Sequence, residues 1–414
     1  MKDTADGGAR AGSRGSNLED LRRQNLGAVL SLVHANRSIT RAEITHATGL
    51  NRSTVATIVA ELESLELVTV SQPVDTKRVG RPSTIVGPSE RHIAVALNPD
   101  TDAITIGVVA MGGRVLREFR FDMEQSPSAT QTVSTLKALL RGLELSHRGS
   151  VLGIGIAVPG LVGARDGIVR VAPHLDWRDE PLVEMVVTAT GIPAWAANDA
   201  TCGVVAEGQF GEGAGEENVV YLNGGSGGIG GGAIVGGQLL TGQGGFSGEL
   251  GHTLVNSDGL RCHCGAVGCL ETEVNRNDLL AAVGLETATN AQLEDRLRTL
   301  YLTDPNVTAV VDRQLEFLGI ALRNFVNTFN PGIVVLGGFL ASVRNATGGA
   351  LQEAVEHSAL PGPASEVRIV SSTLEDNLLI GAGELVFQAV LRDPTSVAVH
   401  DQSNERRPEP LAAG

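Results

Sequence analysis

The chain has 414 residues, enough for two to three domains with a substantial core. It holds no apolar run of the roughly eighteen residues a membrane span needs, so none is expected. Charge is unevenly placed: residues 1–90 carry 11 Lys+Arg against 10 Asp+Glu, whereas the other 324 carry 21 against 37. An acidic body repels phosphate backbones, so nucleic-acid contact is expected from the N-terminal segment alone.

Residues 1–17 are rich in Gly, Ala, Ser and charge and read as a disordered tail. They lack the apolar stretch of a secretion signal, and only four cysteines occur, which suits a reducing cytoplasm better than a disulfide scaffold. Residues 18–89 then read as a winged helix-turn-helix. Leu26, Val29, Leu30 and Val33 recur at helical spacing. Thr40-Arg41-Ala42-Glu43 is a capping box, opening a helix that carries Ile44 and Ala47 inward and stops at Gly49. Asn51 caps a third helix, which buries Val55, Ile58, Val59 and Leu62 and turns Arg52, Ser53 and Thr57 outward, as a recognition helix does. Leu67–Val70 and Thr84–Val86 alternate like two wing strands. The loop between them, Lys77-Arg78-Val79-Gly80-Arg81-Pro82, is basic and narrow. It fits an A·T-rich minor groove, or serves as an ordinary solvated hairpin loop. The residues assigned to DNA are Arg41, Asn51, Arg52, Ser53, Thr57, Arg78 and Arg81.

From about residue 90 strands alternate with helices. His92–Leu97, Ala103–Val109 and Arg114–Phe121 read as a meander, Gln131–Leu145 as a helix and Val151–Val158 as a buried strand, which predicts an α/β protein with a mixed first sheet. Ala194–Ala197 reads as a strand ending at Asn198-Asp199, before a helix bearing Glu207. Further strands are expected at Val219–Leu222, Ala233–Val235 and Ile333–Leu336. Between the first two of these lies Asn223–Gly232, a glycine-rich turn suited to phosphate but equally to a tight strand connection.

The most specific stretch is Gly248-Glu249-Leu250-Gly251-His252 followed by Cys262-His263-Cys264-Gly265-Ala266-Val267-Gly268-Cys269-Leu270-Glu271. A His-x9-Cys-x-Cys-x4-Cys spacing supplies an imidazole and three thiolates, His252, Cys262, Cys264 and Cys269. That is a closed tetrahedral set for structural Zn²⁺, since calcium and magnesium prefer oxygen.

These two segments resemble the signature of the ROK family (repressors, open reading frames and sugar kinases). Val158-Pro159-Gly160-Leu161-Val162 and Asn198-Asp199-Ala200 add to the resemblance, which spans about residues 18 to 392. It implies two actin/hexokinase-like α/β lobes, a small one from 90–197 plus 380–392 and a large one from 198–379 that holds the zinc loop. Residues 393–414 read as a second disordered tail. The resemblance also implies a sugar site of Asn198, Asp199, Glu249, His252 and Glu271; local sequence alone would make Asp199 a helix N-cap. Where many relatives read Ala-Pro-Asn-Leu-x-Trp, this chain has His174, so the preferred sugar is expected to differ from glucose.

The family's kinases open their first hairpin with Asp-x-Gly-x-Thr. Here Asn98-Pro99-Asp100-Thr101 stands instead, without the acid, the glycine or a donating amide at Pro99. Ser226 in the second turn lies near the usual Thr, and Gly337-Gly338 resembles the adenosine motif or ends a strand. The expectation is therefore a cytoplasmic, sugar-responsive repressor, a homodimer or dimer of dimers reading two operator half-sites, with Asp199 catalytic only if the chain is a kinase. An ATP-dependent sugar kinase with a DNA-binding domain, a regulator that binds a protein instead of sugar, and an activator remain as alternatives.

Overall fold

A computed structural model describes residues 12–72, 84–142 and 150–397. Helix α1 (Gly12–Asn36) buries Leu26, Val29, Leu30 and Val33 completely. It starts inside the stretch expected to lack structure, and its exposed part is braced by Glu19–Arg22 and Asp20–Arg23 pairs one turn apart. Residues 1–11 lie outside those described. Strand β1 (Ile39–Thr40) leads into α2 (Arg41–Thr48) through the capping box: the Thr40 hydroxyl accepts from the Glu43 amide at 3.2 Å, and the Glu43 carboxylate accepts from the Thr40 amide at 2.8 Å. Gly49 closes the helix at φ 68°. Ile44 is buried, but Ala47, expected inward, is exposed; this short helix turns its Arg41–Thr45–Thr48 stripe inward instead.

Helix α3 (Arg52–Ser64) is capped by the Asn51 side chain, which accepts from the Thr54 amide at 2.8 Å, and buries the four predicted residues. Strands β2 (Val68–Ser71) and β3 (Ile85–Pro88) form the wing, and β1 adds to β3 as a third strand too short to carry any period. Arg78 and Arg81, with the rest of the basic loop, lie outside the described residues.

The body opens with the expected meander, β4 (His92–Pro99), β5 (Ala103–Ala110) and β6 (Arg114–Asp122), followed by α4 (Ala129–Gly142) and β7 (Ser150–Val158). Short strands β8 (Leu161–Val162), β9 (Val169–Ala172) and β10 (Trp177–Glu180) make a small antiparallel sheet of their own. After α5 (Leu182–Thr190), β11 (Ala194–Asn198) completes the first large sheet. Its order is β11-β7-β4-β5-β6, parallel from β11 to β4 and antiparallel beyond, hence mixed as predicted.

Helix α6 (Asp199–Phe210) crosses to the second sheet, built from β12 (Val219–Gly224), β13 (Ile229–Val235), β14 (Gln238–Leu239), β15 (Ile333–Gly338) and β16 (Arg368–Ser371) in the order β14-β13-β12-β15-β16. Helices α7 (Leu270–Glu273), α8 (Arg276–Ala282), α9 (Asn290–Leu300) and α10 (Pro305–Phe329) precede β15, and α11 (Phe339–Thr347), α12 (Ala350–Ser358) and α13 (Pro361–Glu366) follow it. The last helix, α14 (Asn377–Arg392), returns to the first sheet and packs on β7, β4 and α6. The approach is close: a Cβ on Gly155 of β7 would lie 1.8 Å from the Ala382 carbonyl, and one on Gly381 would lie 2.0 Å from that of Cys202.

Past α14, part of the expected C-terminal tail is packed. Val397 is buried, and the Thr395 amide donates to Asp393 Oδ1 at 3.1 Å; residues 398–414 lie outside those described. The winged module and the first sheet share one continuous core, in which Leu30, Val59 and Val86 join Ala94, Val109, Leu379 and Phe387. Apolar packing therefore joins the module to the body.

Candidate functional site

A cavity of about 420 Å³ opens between the two large sheets. It is lined by all five residues expected at a sugar, Asn198, Asp199, Glu249, His252 and Glu271. Asn198 ends β11 and caps α6: its Oδ1 accepts from the Thr201 amide at 3.1 Å, while its Nδ2 donates to the Gly160 carbonyl at 3.1 Å. The capping role that local sequence offered to Asp199 is thus filled by its neighbour. Asp199 begins the helix at the cavity wall, with Oδ1 accepting from the Ala200 amide at 2.8 Å.

Burial pushes the Asp199 carboxyl up to about 7; the Ala200 amide opposes the rise, and the charges of Asp100 and Glu249 add to it. Burial also raises Glu249, against the pull of His252 and with a push from Glu271. Glu249 is held by a single tight turn, Leu250–His252, pressed onto β13 so closely that a Cβ on Gly251 would lie 1.8 Å from the Ile229 carbonyl. Carboxylates at a cavity wall accept hydrogen bonds from a polyol, and the neutral form of a raised one also donates.

Three of the other lining residues bear on its chemistry. His174, noted in the sequence as a departure, stands on the loop after β9 with its ring 5.4 Å from that of His263. His263, between two of the cysteines, also faces the cavity, and its Nδ1 lies 3.1 Å from Glu271 Oε1. Asp100 is the third, and sequence reasoning missed it because it was read only for the kinase residues it lacks. Its Oδ1 accepts from the Thr101 amide at 2.7 Å and from the Ser226 hydroxyl at 3.3 Å, joining the hairpin between β4 and β5 to the glycine-rich turn between β12 and β13. Asn98 turns its amide to the Ala157 carbonyl at 2.9 Å.

Beside the cavity, ligand atoms of His252, Cys262, Cys264 and Cys269 lie within 4.8 Å of one another. Cys264 Sγ is 3.7 Å from Cys269 Sγ, and Cys262 Sγ is 3.5 Å from His252 Nδ1. Such a cluster is able to hold a metal ion. A second grouping, His252, Cys262, His263 and Glu271, shares two of these residues. The loop's shape comes from backbone bonds, Cys262 amide to Ala266 carbonyl at 2.8 Å and Leu270 amide to Thr253 carbonyl at 2.9 Å. It is anchored by Glu273, fully buried, whose carboxylate accepts from the Leu260 amide at 2.7 Å, Asn256 Nδ2 at 3.1 Å and Arg313 at 2.8 Å. A lone Glu at the end of a four-residue helix gave no signal of this role.

On the winged module Asn51, Arg52, Ser53 and Thr57 are exposed together at the start of α3, while Arg41 is half-buried. The Ser53 hydroxyl donates to Asn51 Oδ1 at 2.6 Å and that of Thr57 to the Ser53 carbonyl at 3.1 Å. Among the described residues Arg52 has no such partner, and its five N–H donors face outward.

Fold and site together define a winged helix-turn-helix module joined to a sugar-kinase-like body with a carboxylate-lined cavity and a cysteine loop. Comparison with known families agrees: a ROK family model matches residues 95–389, and a winged helix-turn-helix DNA-binding model matches residues 22–69. The chain belongs to the ROK family. It is 27% identical over 390 residues to a putative xylose repressor of Caldicellulosiruptor sp. (strain Rt8B.4), covering 89% of this chain and 96% of that one. It is 29% identical over 322 residues to a glucokinase of Thermotoga maritima, covering 73% and 99%. A solved ROK family transcriptional regulator, described as a homolog of the E. coli MLC protein, shares the fold with a TM-score of 0.73 at 24% identity. That match covers 92% of this chain and all of the other.

Proposed function

We propose that the protein is a transcriptional repressor that releases its operator when a neutral sugar fills the interlobe cavity. Repressor and kinase relatives share the body, so the choice rests on the two turns facing the cavity. The observation that carries it is Asp100 bonded to Ser226. In the family's kinases these two turns face nucleotide phosphates; here they are tied to each other, with a carboxylate between them. A carboxylate there repels a triphosphate, while the five residues expected at a sugar line the same cavity. The second reading, a sugar kinase fused to a DNA-binding module, has one observation in its favour, since a carboxyl held near 7 suits a general base.

The cysteine cluster suits Zn²⁺ held by His252, Cys262, Cys264 and Cys269. At a Zn–S distance of about 2.3 Å, two thiolates on a tetrahedron lie about 3.8 Å apart, close to the 3.7 Å between Cys264 and Cys269. All four positions are then filled by protein, so the ion would be structural, fixing the loop that carries Glu271 and His263. The thiols would stay reduced in the cytoplasm. A homodimer would set two α3 helices on two half-sites of a palindrome, with Arg52 reading a base edge and Asn51, Ser53, Thr57 and Arg41 fixing register on the backbone. Arg78 and Arg81 would enter the adjoining minor groove.

The test is fluorescence anisotropy on a duplex selected by the protein from a random-sequence library, titrated with D-xylose and D-glucose. The proposal expects sugar to weaken duplex binding at least about tenfold, and no MgATP-dependent product. Sugar phosphate formed with MgATP would replace it by the kinase reading.

A further inference from the structure

Helix α6 runs from the sugar pocket to the DNA-binding module, alongside α14. Asp199 at the first position of α6 lines the cavity, and Phe210 at its last position touches α1. The helix has 12 residues, so it spans about 18 Å between the two ends.

Its far end forms a compact joint. The Phe210 ring packs on the turn between β5 and β6, where a Cβ on Gly113 would lie 2.5 Å from the ring. It stands edge-on to His34, centroids 5.2 Å apart, and the Arg37 guanidinium lies over it at 5.2 Å. His34 is in the last turn of α1, the helix that supplies Leu26, Val29, Leu30 and Val33 to the core of the winged module, and Arg37 follows its last residue directly. Each is tied again to the body. His34 is fully buried; its Nδ1 accepts from the Gly112 amide at 3.0 Å, so its Nε2 carries the proton and donates to the buried Glu384 carboxylate of α14, 3.0 Å away. Arg37 Nε donates to the Gly112 carbonyl at 2.8 Å. These bonds fix the end of α1 on one glycine turn, one helix end and one side chain of α14, next to the apolar core that the module shares with α14.

Along its length α6 has little room to adjust. On one side Gly203 abuts the Tyr221 ring of β12, where a Cβ would lie 2.3 Å away; on the other the Cys202 carbonyl meets Gly381 of α14. Glu207, fully buried in its middle, accepts from the Ser372 hydroxyl and from the Glu212 amide at 3.2 Å. A helix gripped on both faces moves as a rod, because a packed interior transmits displacement instead of absorbing it.

We infer that α6 is the mechanical link between effector and operator, with Phe210 handing the position of Asp199 to His34 of α1 and to Arg37 just past its end. The inference rests on the sugar reading of the cavity. When the lobes shift around a bound sugar, the Asp199 end of the rod shifts with them, and the Phe210 end tilts α1 together with the recognition helix packed on it. Coupling of this kind works in both directions, so operator binding resets the pocket by the same factor.

The test is hydrogen–deuterium exchange on the full-length chain, wild type, Phe210→Ala and Phe210→Leu, with and without saturating D-xylose or D-glucose. Phe210 is not among the residues that line the cavity, and leucine keeps the joint filled while removing the ring face that Arg37 and His34 contact. In the wild type, sugar is expected to slow exchange at residues 198–201 and 249–252 and to change it at residues 33–37 and 111–114. In both variants the pocket segments should still respond, while the response at 33–37 falls at least about fivefold, a loss of coupling without loss of binding. A response at 33–37 that persists in both variants overturns the link. So does a wild type whose pocket responds while 33–37 does not. A wild-type pocket that responds to neither sugar overturns the sugar reading and this inference with it.

Discussion

Replacing Asp199 by Asn should stabilise the sugar-free protein while destroying its sugar site, and the gain should depend on pH. The group's ordinary value is 3.8 and burial carries it to about 7. Because the folded value lies above the unfolded one, the native chain holds a proton there that the unfolded chain has already released. Stability is lost as pH rises through the window between these values and stays low above it. At about 1.4 kcal/mol per pH unit the ceiling is roughly 4 kcal/mol. The carboxylate borders a cavity that water enters, so a realistic figure is about 2 kcal/mol.

Asn keeps the acceptor for the Ala200 amide and carries no charge. Thermal unfolding followed by circular dichroism at pH 8 should therefore place the Asp199→Asn melting point about 4–8 °C above the wild type, taking 2–4 °C per kcal/mol for a domain of this size. At pH 5 the gap should be less than half as large. An equal gap at both pH values, or a variant less stable at pH 8, would refute the reasoning. The carboxylate would then be hydrated in the sugar-free protein, and its position at the wall would carry no stored cost.

Arg52→Ala should weaken binding to the selected duplex by about 1–3 kcal/mol while leaving sugar affinity unchanged; loss of both, read by anisotropy and calorimetry, would end the modular account. Cys269→Ser should lower bound zinc, read by elemental analysis, from one ion per chain to well below that, and should weaken sugar binding at least about tenfold through the loosened Glu271. Retained metal would reassign the ion to the second grouping around His263. Glu273→Gln keeps its volume but leaves one oxygen for three donors, its amide nitrogen facing either the Leu260 amide or both Asn256 Nδ2 and Arg313. It should cost about 2–3 kcal/mol in denaturant unfolding, and a cost near zero would mean that the loop does not depend on that anchor.

Much of this was legible because local rules act locally. The Thr40–Glu43 capping box, the Gly49 stop, the Asn51 cap and the four buried positions of α3 each follow from a few adjacent residues. The His/Cys cluster was legible because cysteines are scarce and their spacing is restrictive, and the five cavity-lining residues through the family signature. What sequence withheld is non-local or one-sided. Ala47 points outward because an eight-residue helix can meet its core on either neighbouring stripe. Strand β1 has two residues and therefore no pattern. His34 and Glu384 are 350 positions apart, and neither stands in a motif that would single it out. Asp100 was visible as a missing kinase residue, but its bond to Ser226, 126 positions away, required the sheets to be assembled.

The central claim is that the cavity binds sugar without nucleotide. The most direct measurement is the melting point of the zinc-loaded protein against a panel of free sugars, each with and without MgATP. The account predicts that at least one sugar raises it, since a ligand binding only the native state stabilises that state. The rise should be the same with and without MgATP, and it should vanish in Glu249→Ala. A rise that requires MgATP, or that survives in Glu249→Ala, would contradict it.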